Sequence, residues 1–226
     1  MRTVCATYEA APARAAAGTH TISTDEKTGI QALERLHPPR AMRPGHIERL
    51  EFEYVRHGTQ CLIGNFEVAT GQVLTPSVGP TRTEEDFAAH IAQTLATDPA
   101  GEWIFVVDQL NTHQSEALVR LVATACGLAA EPGVKGKTGL LASMASRKAF
   151  LEETGHRIRF VYTPKHSSWL NQIEIWFGIL VRRVLKRGSF TSVDELRERL
   201  LAFIAYFNTA LAKPFKWTYK GRPLTV

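Results

Sequence analysis

The segment EWIFVVDQL, residues 102–110, predicts the centre of a β-sheet. Five consecutive apolar residues, 103–107, precede Asp108, and an apolar run without alternation is typical of a strand that is buried on both faces. Asp108 is the first charged residue after the run, so it should lie where the strand ends. Because binding and catalytic residues of open α/β sheets gather at the carboxyl ends of strands, Asp108 is a candidate functional residue.

Strand and helix patterns flank this segment on both sides. Residues 19–28 are rich in β-branched side chains and reach Asp25, and the β-rich runs of 49–79, broken by HGT and ATGQ, predict antiparallel hairpins. A further strand, 156–164, ends at a proline. Helical spacing predicts helices at 83–97, 115–127, 140–155, 166–187 and 192–208. The order of these elements predicts an α/β fold, a mixed sheet with flanking helices.

Composition and charge narrow the class of protein without identifying it. The chain has 226 residues, 44% hydrophobic and 22% charged, as an ordinary globular protein has. Its 27 Lys and Arg exceed its 22 Asp and Glu by five, with basic runs after residue 180, which is compatible with a polyanionic partner. No apolar run approaches the roughly 18 residues of a membrane span. The three cysteines are scattered, so reduced thiols are expected. A cytoplasmic location without membrane contact is also expected.

The stretch HSSWLNQIEIWFGILVRRVLKR, residues 166–187, contains a second unusual acid. At about 100° per residue, its apolar side chains form one broad helix face and its basic ones the opposite face. Glu174 falls on the edge of the apolar face, where an ionised carboxylate is costly unless a cation or a metal ion compensates it. Two interpretations are open: a buried Glu–Arg pair and a metal ligand.

Three acids could therefore converge at one edge of the predicted sheet: Asp25, Asp108 and Glu174. Asp25 would lie on the first strand, Asp108 at the end of the central strand, and Glu174 on the helix after the last strand. Strand ends and adjacent helix termini meet at such an edge. Glu26 is by its chemistry as plausible a ligand as Asp25.

Three segments resemble the motif blocks of a known family. STDEKTG (23–29), VVDQLNTH (106–113) and YTPKHSSWLNQIEIWF (162–177) are similar to the three blocks of DDE transposases, in particular of the bacterial insertion-sequence branch of the mariner-like superfamily. The C-terminal segment 189–224 also resembles that branch. The likeness extends over residues 19–224, nearly the whole chain.

The resemblance implies an RNase H-like fold and a metal-dependent enzyme. Asp25, Asp108 and Glu174 would be catalytic residues that hold two divalent metal ions, Mg²⁺ or Mn²⁺. The implied function is that of a transposase catalytic domain, an endonuclease that cleaves and transfers DNA strands for an insertion sequence. Implied partners are the element ends and target DNA, a second copy in a homodimer, and a separate or missing helix-turn-helix region.

The resemblance also divides the chain. Residues 1–18 are expected to be a linker or helix remnant, and residues 19–226 the RNase H-like DDE catalytic domain. The interval between Asp108 and Glu174 is longer than in many members of the superfamily, and 127–155 is the expected insertion. Two other functions are kept open: a non-catalytic DNA-binding or interaction remnant of a transposase, and an RNase H-like nuclease or resolvase.

Further residues are expected to support the site. Asn171 lies one helical turn before Glu174, so it could hydrogen-bond a ligand or DNA, or cap the helix. His113, five positions after Asp108, resembles a recurring histidine of the family; the alternative is an ordinary partly buried histidine. DNA phosphates would be contacted by basic residues flanking the helix, unless these form only a solvated face: Lys165, His166, Arg182, Arg183 and Lys186.

Overall fold

A five-stranded mixed sheet forms the centre of the computed structural model, which describes residues 1–38, 40–49, 51–128 and 131–221. The strand order is β3-β2-β1-β4-β5. Strand β1 pairs antiparallel with β2 and parallel with β4, and β4 pairs parallel with β5. The strands are β1 (Thr19–Arg35), β2 (Tyr54–Glu67), β3 (Val73–Gly79), β4 (Glu102–Val107) and β5 (Ile158–Tyr162). The predicted mixed sheet is confirmed, with the apolar segment 103–107 inside it.

The helices begin where the sequence provides caps. Thr83, Ser115 and Ser192 each accept a hydrogen bond from the backbone N–H three residues on, which satisfies a free donor of the first turn. Gly127, after the third helix, has φ +67, a conformation that ends helices and that glycine adopts without strain. The helices are α1 (Arg2–Ala16), α2 (Glu84–Leu95), α3 (Glu116–Ala125), α4 (Met144–Leu151), α5 (Gln172–Leu180) and α6 (Val193–Ala210).

Helices cover both faces of the sheet. Helices α2, α3 and α4 contribute Phe87, Leu118 and Leu151 to one core, in which Phe105 of β4 is also buried. Helices α5 and α6 pack over β1, β2 and β3 in a second core. Neighbouring strand residues enter different cores, because successive side chains of a strand point to opposite faces. No helix of the described residues has both the length and the hydrophobicity needed to cross a bilayer.

Helix α1 packs against the sheet. Val4, Cys5 and Tyr8 are buried with Val106 of β4, and the Tyr8 hydroxyl donates a hydrogen bond of 3.0 Å to the Leu170 carbonyl. The sequence predicts a linker or helix remnant at 1–18 and a catalytic domain at 19–226. This division of the chain into two parts stays a prediction. The described helix, however, shares a core with that domain.

Strand β1 is longer than the predicted 19–28 because it continues through an irregularity. The pairing with β2 shifts between Lys27 and Ile30, and Gly29 has φ +67. The glycine permits a bulge at this point, where the sequence pattern predicts the end of the strand. Only Thr19–Ser23 of β1 pairs with β4. The second half of β1 and its partner β2 therefore form a two-stranded ribbon that extends past β4.

The predicted single helix 166–187 is divided into three parts. A 3₁₀ turn, Ser168–Leu170, precedes α5, and a π-helical turn, Val181–Leu185, follows it. Asn171 between the first two parts has extended backbone angles, which interrupts the helix. Trp176 of α5 is fully buried, whereas Trp169 in the 3₁₀ turn is 51% exposed.

Candidate active site

Asp108 directly follows β4, and its Oδ1 is held by a hydrogen bond and an ion pair. Oδ1 accepts from the Leu110 backbone N–H at 2.8 Å and pairs with His113 Nδ1 at 2.8 Å, and Nδ1 also donates to the Asp108 backbone carbonyl at 3.3 Å. Burial opposes ionisation, but the hydrogen bond and positive charge of His113 outweigh it and lower the pKa of Asp108. The side chain is 33% exposed, and Oδ2 accepts no hydrogen bond from the described residues. Asp108 is therefore an ionised carboxylate with one oxygen available.

Asp25 lies in the middle of β1 and is almost completely buried. Its Oδ1 accepts from the Glu26 backbone N–H at 2.8 Å and its Oδ2 from Asn171 Nδ2 at 3.2 Å. Burial, and next the negative charge of Asp108, raise the pKa of Asp25 to about 7. The charge effect requires the two aspartates to be close, although 82 residues separate them in sequence. Asp25 therefore carries a charge that the protein alone compensates poorly.

Asn171 connects α5 to β1. It occupies the N-cap position, but its side chain makes no capping hydrogen bond. Nδ2 donates to the Thr24 carbonyl at 2.8 Å and to Asp25, and Oδ1 accepts from the Ser23 hydroxyl. The same hydroxyl accepts from the Ile173 backbone N–H at 2.9 Å. Asn171 could have capped the helix or hydrogen-bonded a candidate metal ligand. In the structure it hydrogen-bonds the candidate ligand Asp25 and makes no side-chain cap.

Glu174 lies in the first turn of α5 with an exposed side chain. Partial burial raises its pKa, the charge of Lys27 lowers it, and that of Asp108 raises it, with a net increase. Within the described residues, Glu174 has no ion pair and its carboxylate accepts no hydrogen bond. The structure therefore lacks the buried Glu–Arg pair that was one interpretation of this position.

His113 is completely buried between two carboxylates. Nδ1 contacts Asp108 at 2.8 Å and Nε2 contacts both oxygens of Glu26 at 3.2 Å. Burial alone would lower the pKa of His113, but the hydrogen bonds to Asp108 and Glu26 raise it to about 10. His113 is thus a doubly protonated imidazolium with no surface for DNA. The pairing with Glu26 could not be read from the sequence, because 87 positions separate the two residues.

Asp25, Glu26 and His113 also form a compact buried trio. One ligand atom from each lies within 4.8 Å of the others, close enough for a metal ion. Both ring nitrogens of His113 are already hydrogen-bonded to carboxylates, and an imidazolium has no lone pair for a metal. Glu26, the alternative to Asp25, is occupied by His113. In the described part of the chain, oxygens without a hydrogen bond therefore belong to Asp108 and Glu174, whereas each oxygen of Asp25 accepts one hydrogen bond and keeps a second lone pair for a metal ion.

The candidate DNA-binding residues fall into two groups. Lys165 and His166 are exposed in the connection between β5 and α5, and His166 has φ +57, an uncommon conformation for a residue with a side chain. Arg182, Arg183 and Lys186 are exposed on and just after the π turn. At about 1.5 Å per residue they lie roughly 12 to 18 Å along the helix from Glu174, so they do not line the acidic site itself.

The residues of this site suit a divalent cation. The charge of Asp108 raises the pKa values of both Asp25 and Glu174, so the protein compensates the negative charge of these two carboxylates only in part. Hard carboxylate oxygens are the ligands that Mg²⁺ prefers, and Mn²⁺ also accepts them. Asp25, Asp108 and Glu174 could therefore hold metal ions at this edge of the sheet.

The fold matches that of a known class of protein. Over 90% of this chain and 53% of the other, it superposes with 13% identity and a TM-score of 0.55 on the Mos1 transposase paired-end complex with left transposon end. The likeness shows an RNase H-like fold, as the motif resemblance implies. The Mos1 strand transfer complex matches with 12% identity, coverage of 91% and 53%, and a TM-score of 0.48. The chain spans about half the length of these transposase chains.

The family follows from the sequence. Residues 20–197 match the model of the DDE superfamily endonucleases, which is more than half of the chain. The chain belongs to this family. It has no match among curated protein sequences.

Replacement of His113 is expected to impair the site through Asp108. In His113→Gln, the imidazolium between Glu26 and Asp108 is lost, so Asp108 loses the charge that keeps it ionised and oriented. Removing such a supporting group typically lowers activity or metal affinity about 10- to 100-fold. We expect slower DNA nicking and a higher Mg²⁺ requirement, measured as nicking rate against metal concentration.

The matched control for this prediction is His156→Gln, which changes a histidine that contacts Phe150 instead of the acids. Its nicking rate and metal requirement should equal those of the unaltered protein. Thermal melting of both variants reports any loss of stability. If His113→Gln melts at a lower temperature but keeps its rate and metal requirement, His113 has only a structural role.

Proposed function

We propose that this chain is the catalytic domain of a DDE transposase of the bacterial insertion-sequence branch. It would cleave DNA strands at the element ends and join them to target DNA, with Asp25, Asp108 and Glu174 as catalytic ligands of two divalent metal ions, Mg²⁺ or Mn²⁺. One observation carries the proposal: Asn171, which immediately precedes the helix of Glu174, donates to Oδ2 of Asp25 at 3.2 Å, and His113 connects Asp108 to Glu26, the neighbour of Asp25. These contacts hold together the elements that carry the three acids in a DDE superfamily endonuclease.

Phosphodiester cleavage needs charge stabilisation more than a covalent intermediate. When bound by Asp25, Asp108 and Glu174, a metal pair would supply this charge stabilisation: it would lower the pKa of an attacking water or 3′-hydroxyl and stabilise the leaving oxygen. The protein keeps the ligands in place. His113 holds Oδ1 of Asp108 and leaves Oδ2 free, while Asn171 holds Oδ2 of Asp25.

DNA is the proposed substrate and partner. The Mos1 complex named above contains a transposon end, and the same kind of ligand is proposed for this chain. Lys165 and His166, exposed next to α5, are the proposed phosphate contacts closest to the acids. A homodimer in the complex with the element ends also belongs to the proposal. So does a helix-turn-helix region, separate or missing, because end recognition needs a sequence-reading element.

Nicking of supercoiled plasmid tests the proposal. We expect the chain to convert supercoiled plasmid to the open circle in Mg²⁺ or Mn²⁺ and not in EDTA, because the carboxylates alone provide no positive charge for the leaving oxygen. Strand transfer is then assayed with a duplex that carries a free 3′ end. Absence of nicking with either metal, by a chain that still binds DNA, would instead favour a non-catalytic remnant.

A further inference from the structure

A groove runs between the segment that follows α5 and the second half of α6. Two cavities form it, of about 460 and 500 Å³. The first is lined by residues from Ile179 to Arg183 and from Phe207 to Lys213, and the second by residues from Arg183 to Phe190 and from Arg199 to Tyr206. Arg183 lines both, so the cavities are adjacent. We call this surface the α5–α6 groove.

The charge of the α5–α6 groove has one sign. No carboxylate of the described residues lines either cavity, whereas five cations do: Arg182, Arg183, Arg187, Arg199 and Lys213. This concentration of like charge, in a chain whose net charge is only +5, makes an anion the complementary ligand.

Ion pairs neutralise only part of this charge. Arg187 pairs with Glu48 at 3.1 Å, and Arg199 approaches Glu195 at 3.9 Å. Among the described residues, no carboxylate lies within ion-pair distance of Arg182, Arg183 or Lys213, and all three side chains are exposed. They are therefore free to bind an external anion.

Shape and residue type favour the backbone of duplex DNA. Four of the five cations are arginines, whose planar guanidinium groups bind phosphate oxygens bidentately. The apolar floor, including Ile179 and Phe203, offers no hydrogen-bonding groups that would read a base sequence. Single strands are usually held by successive exposed aromatic platforms, and among the described lining residues only Tyr206 is an exposed aromatic.

The groove has a defined separation from the acidic site. Arg183 and Arg187 follow Glu174 by nine and thirteen residues, which is about 13 to 20 Å of helix. At about 100° per residue, Arg183 lies about 180° around the helix from Glu174, so the groove and the acids face different sides of the helix.

We propose that the α5–α6 groove binds the sugar-phosphate backbone of duplex DNA, independently of sequence, on the side of the helix away from the acids. The proposal rests on the proposed function, because it assumes that the acids act on DNA. It adds Arg199 and Lys213 to the DNA-contacting residues and assigns Arg182 and Arg183 to the groove, away from the acids.

Salt-dependent DNA binding tests this proposal. Fluorescence anisotropy of a labelled duplex of about 30 base pairs, about three helical turns, is measured in EDTA over a range of salt concentrations. Each phosphate contact contributes about −0.9 to the slope of log K against log salt. The double variant Arg182→Gln/Arg183→Gln is expected to bind about 10-fold more weakly at low salt and to lose about two from the magnitude of that slope.

The matched control is Arg197→Gln. Arg197 is exposed on the same helix, α6, but lines neither cavity, so the affinity and the slope should stay as they are. Equal losses in both variants would show a general charge effect and overturn the proposal, as would an unchanged slope in the double variant. Stronger binding of poly-glutamate than of DNA, lost in the double variant, would identify an acidic protein segment as the occupant and also overturn it.

The outcomes separate this proposal from the proposed function. If the unaltered protein nicks plasmid and the double variant binds DNA equally well, the groove proposal fails and the function stands. If the protein never nicks DNA but binding depends on Arg182 and Arg183, the groove proposal stands and the catalytic function fails. Binding is scored on the full chain, and thermal melting confirms that each variant is folded.

Discussion

Asp108→Asn is expected to abolish metal-dependent nicking of plasmid DNA. The substitution preserves the size of the side chain but replaces the charged oxygen that the structure leaves free for a metal ion. Because metal ions contribute several kcal/mol of transition-state stabilisation, the rate should fall by about 10³-fold or more. The measurement is the initial rate of open-circle formation in saturating Mg²⁺ or Mn²⁺.

The control for this prediction is Asp194→Asn, which removes an exposed carboxylate in the first turn of α6. It loses only a helix-dipole interaction, typically 0.3–1 kcal/mol, and its nicking rate should be unchanged. Equal activity of Asp108→Asn and the unaltered protein would indicate a contaminating nuclease or a wrong assignment of the site. DNA binding in EDTA should be similar in all three proteins.

Asp25→Asn is expected to have two opposite effects: loss of nicking, again by about 10³-fold, and higher stability without metal at alkaline pH. The pKa of Asp25 is about 7 in the folded protein and 3.8 ordinarily. Between these values the folded state retains a proton that the unfolded chain has lost, so the free energy of unfolding decreases as pH rises from about 4 to 7. Above that range the destabilisation is complete and constant.

The size of the stability effect follows from the same pKa. The raised pKa corresponds to at most about 4 kcal/mol. The asparagine loses a hydrogen bond from Asn171, which costs about 1 kcal/mol, and local relaxation reduces the effect further. A net gain on the order of 2 kcal/mol at about pH 8 should raise the melting temperature by roughly 4–8 °C for a chain of this length.

Thermal melting in EDTA at about pH 4 and pH 8 provides the test. The two proteins should differ little at the lower pH and most at the higher pH, with Asp194→Asn as the control that follows the unaltered protein. Mg²⁺ should stabilise the unaltered protein at the higher pH and have much less effect on Asp25→Asn. If Asp25→Asn is less stable at both values, Asp25 is not a carboxylate with an uncompensated charge.

Much of the fold could be predicted because it depends on local signals. The apolar segment 103–107 lies in β4, the helices predicted at 83–97 and 192–208 begin after the caps Thr83 and Ser192, and Gly127 follows the end of α3. The mixed sheet follows from the order of these elements. Asp108 could be assigned to a strand end for the same reason, since a single acid after an apolar run has few other places to lie.

The remainder depends on contacts between distant residues. Val4 and Tyr8 of α1 are buried against Val106. The sequence around the two residues gives no sign of this contact, because Val106 is about 100 positions away. The Glu26–His113 pair is similarly hidden, because an acid on one strand and a histidine after another reveal no partner. Asn171 follows a helical pattern in the sequence, yet its hydrogen bonds to β1 hold it in an extended conformation.

Because α5 is attached to β1, the arrangement of the three acids does not depend on the length of the chain between Asp108 and Glu174. Asn171 and the Ile173 backbone are bonded to Ser23 and Thr24, next to Asp25, so Glu174 takes its position from β1. Insertions or deletions between Asp108 and Asn171, where the expected insertion 127–155 lies, can then occur without displacing Glu174. Over evolutionary time, this segment is a place where new surface or regulation can be added while the arrangement of the three acids is inherited intact.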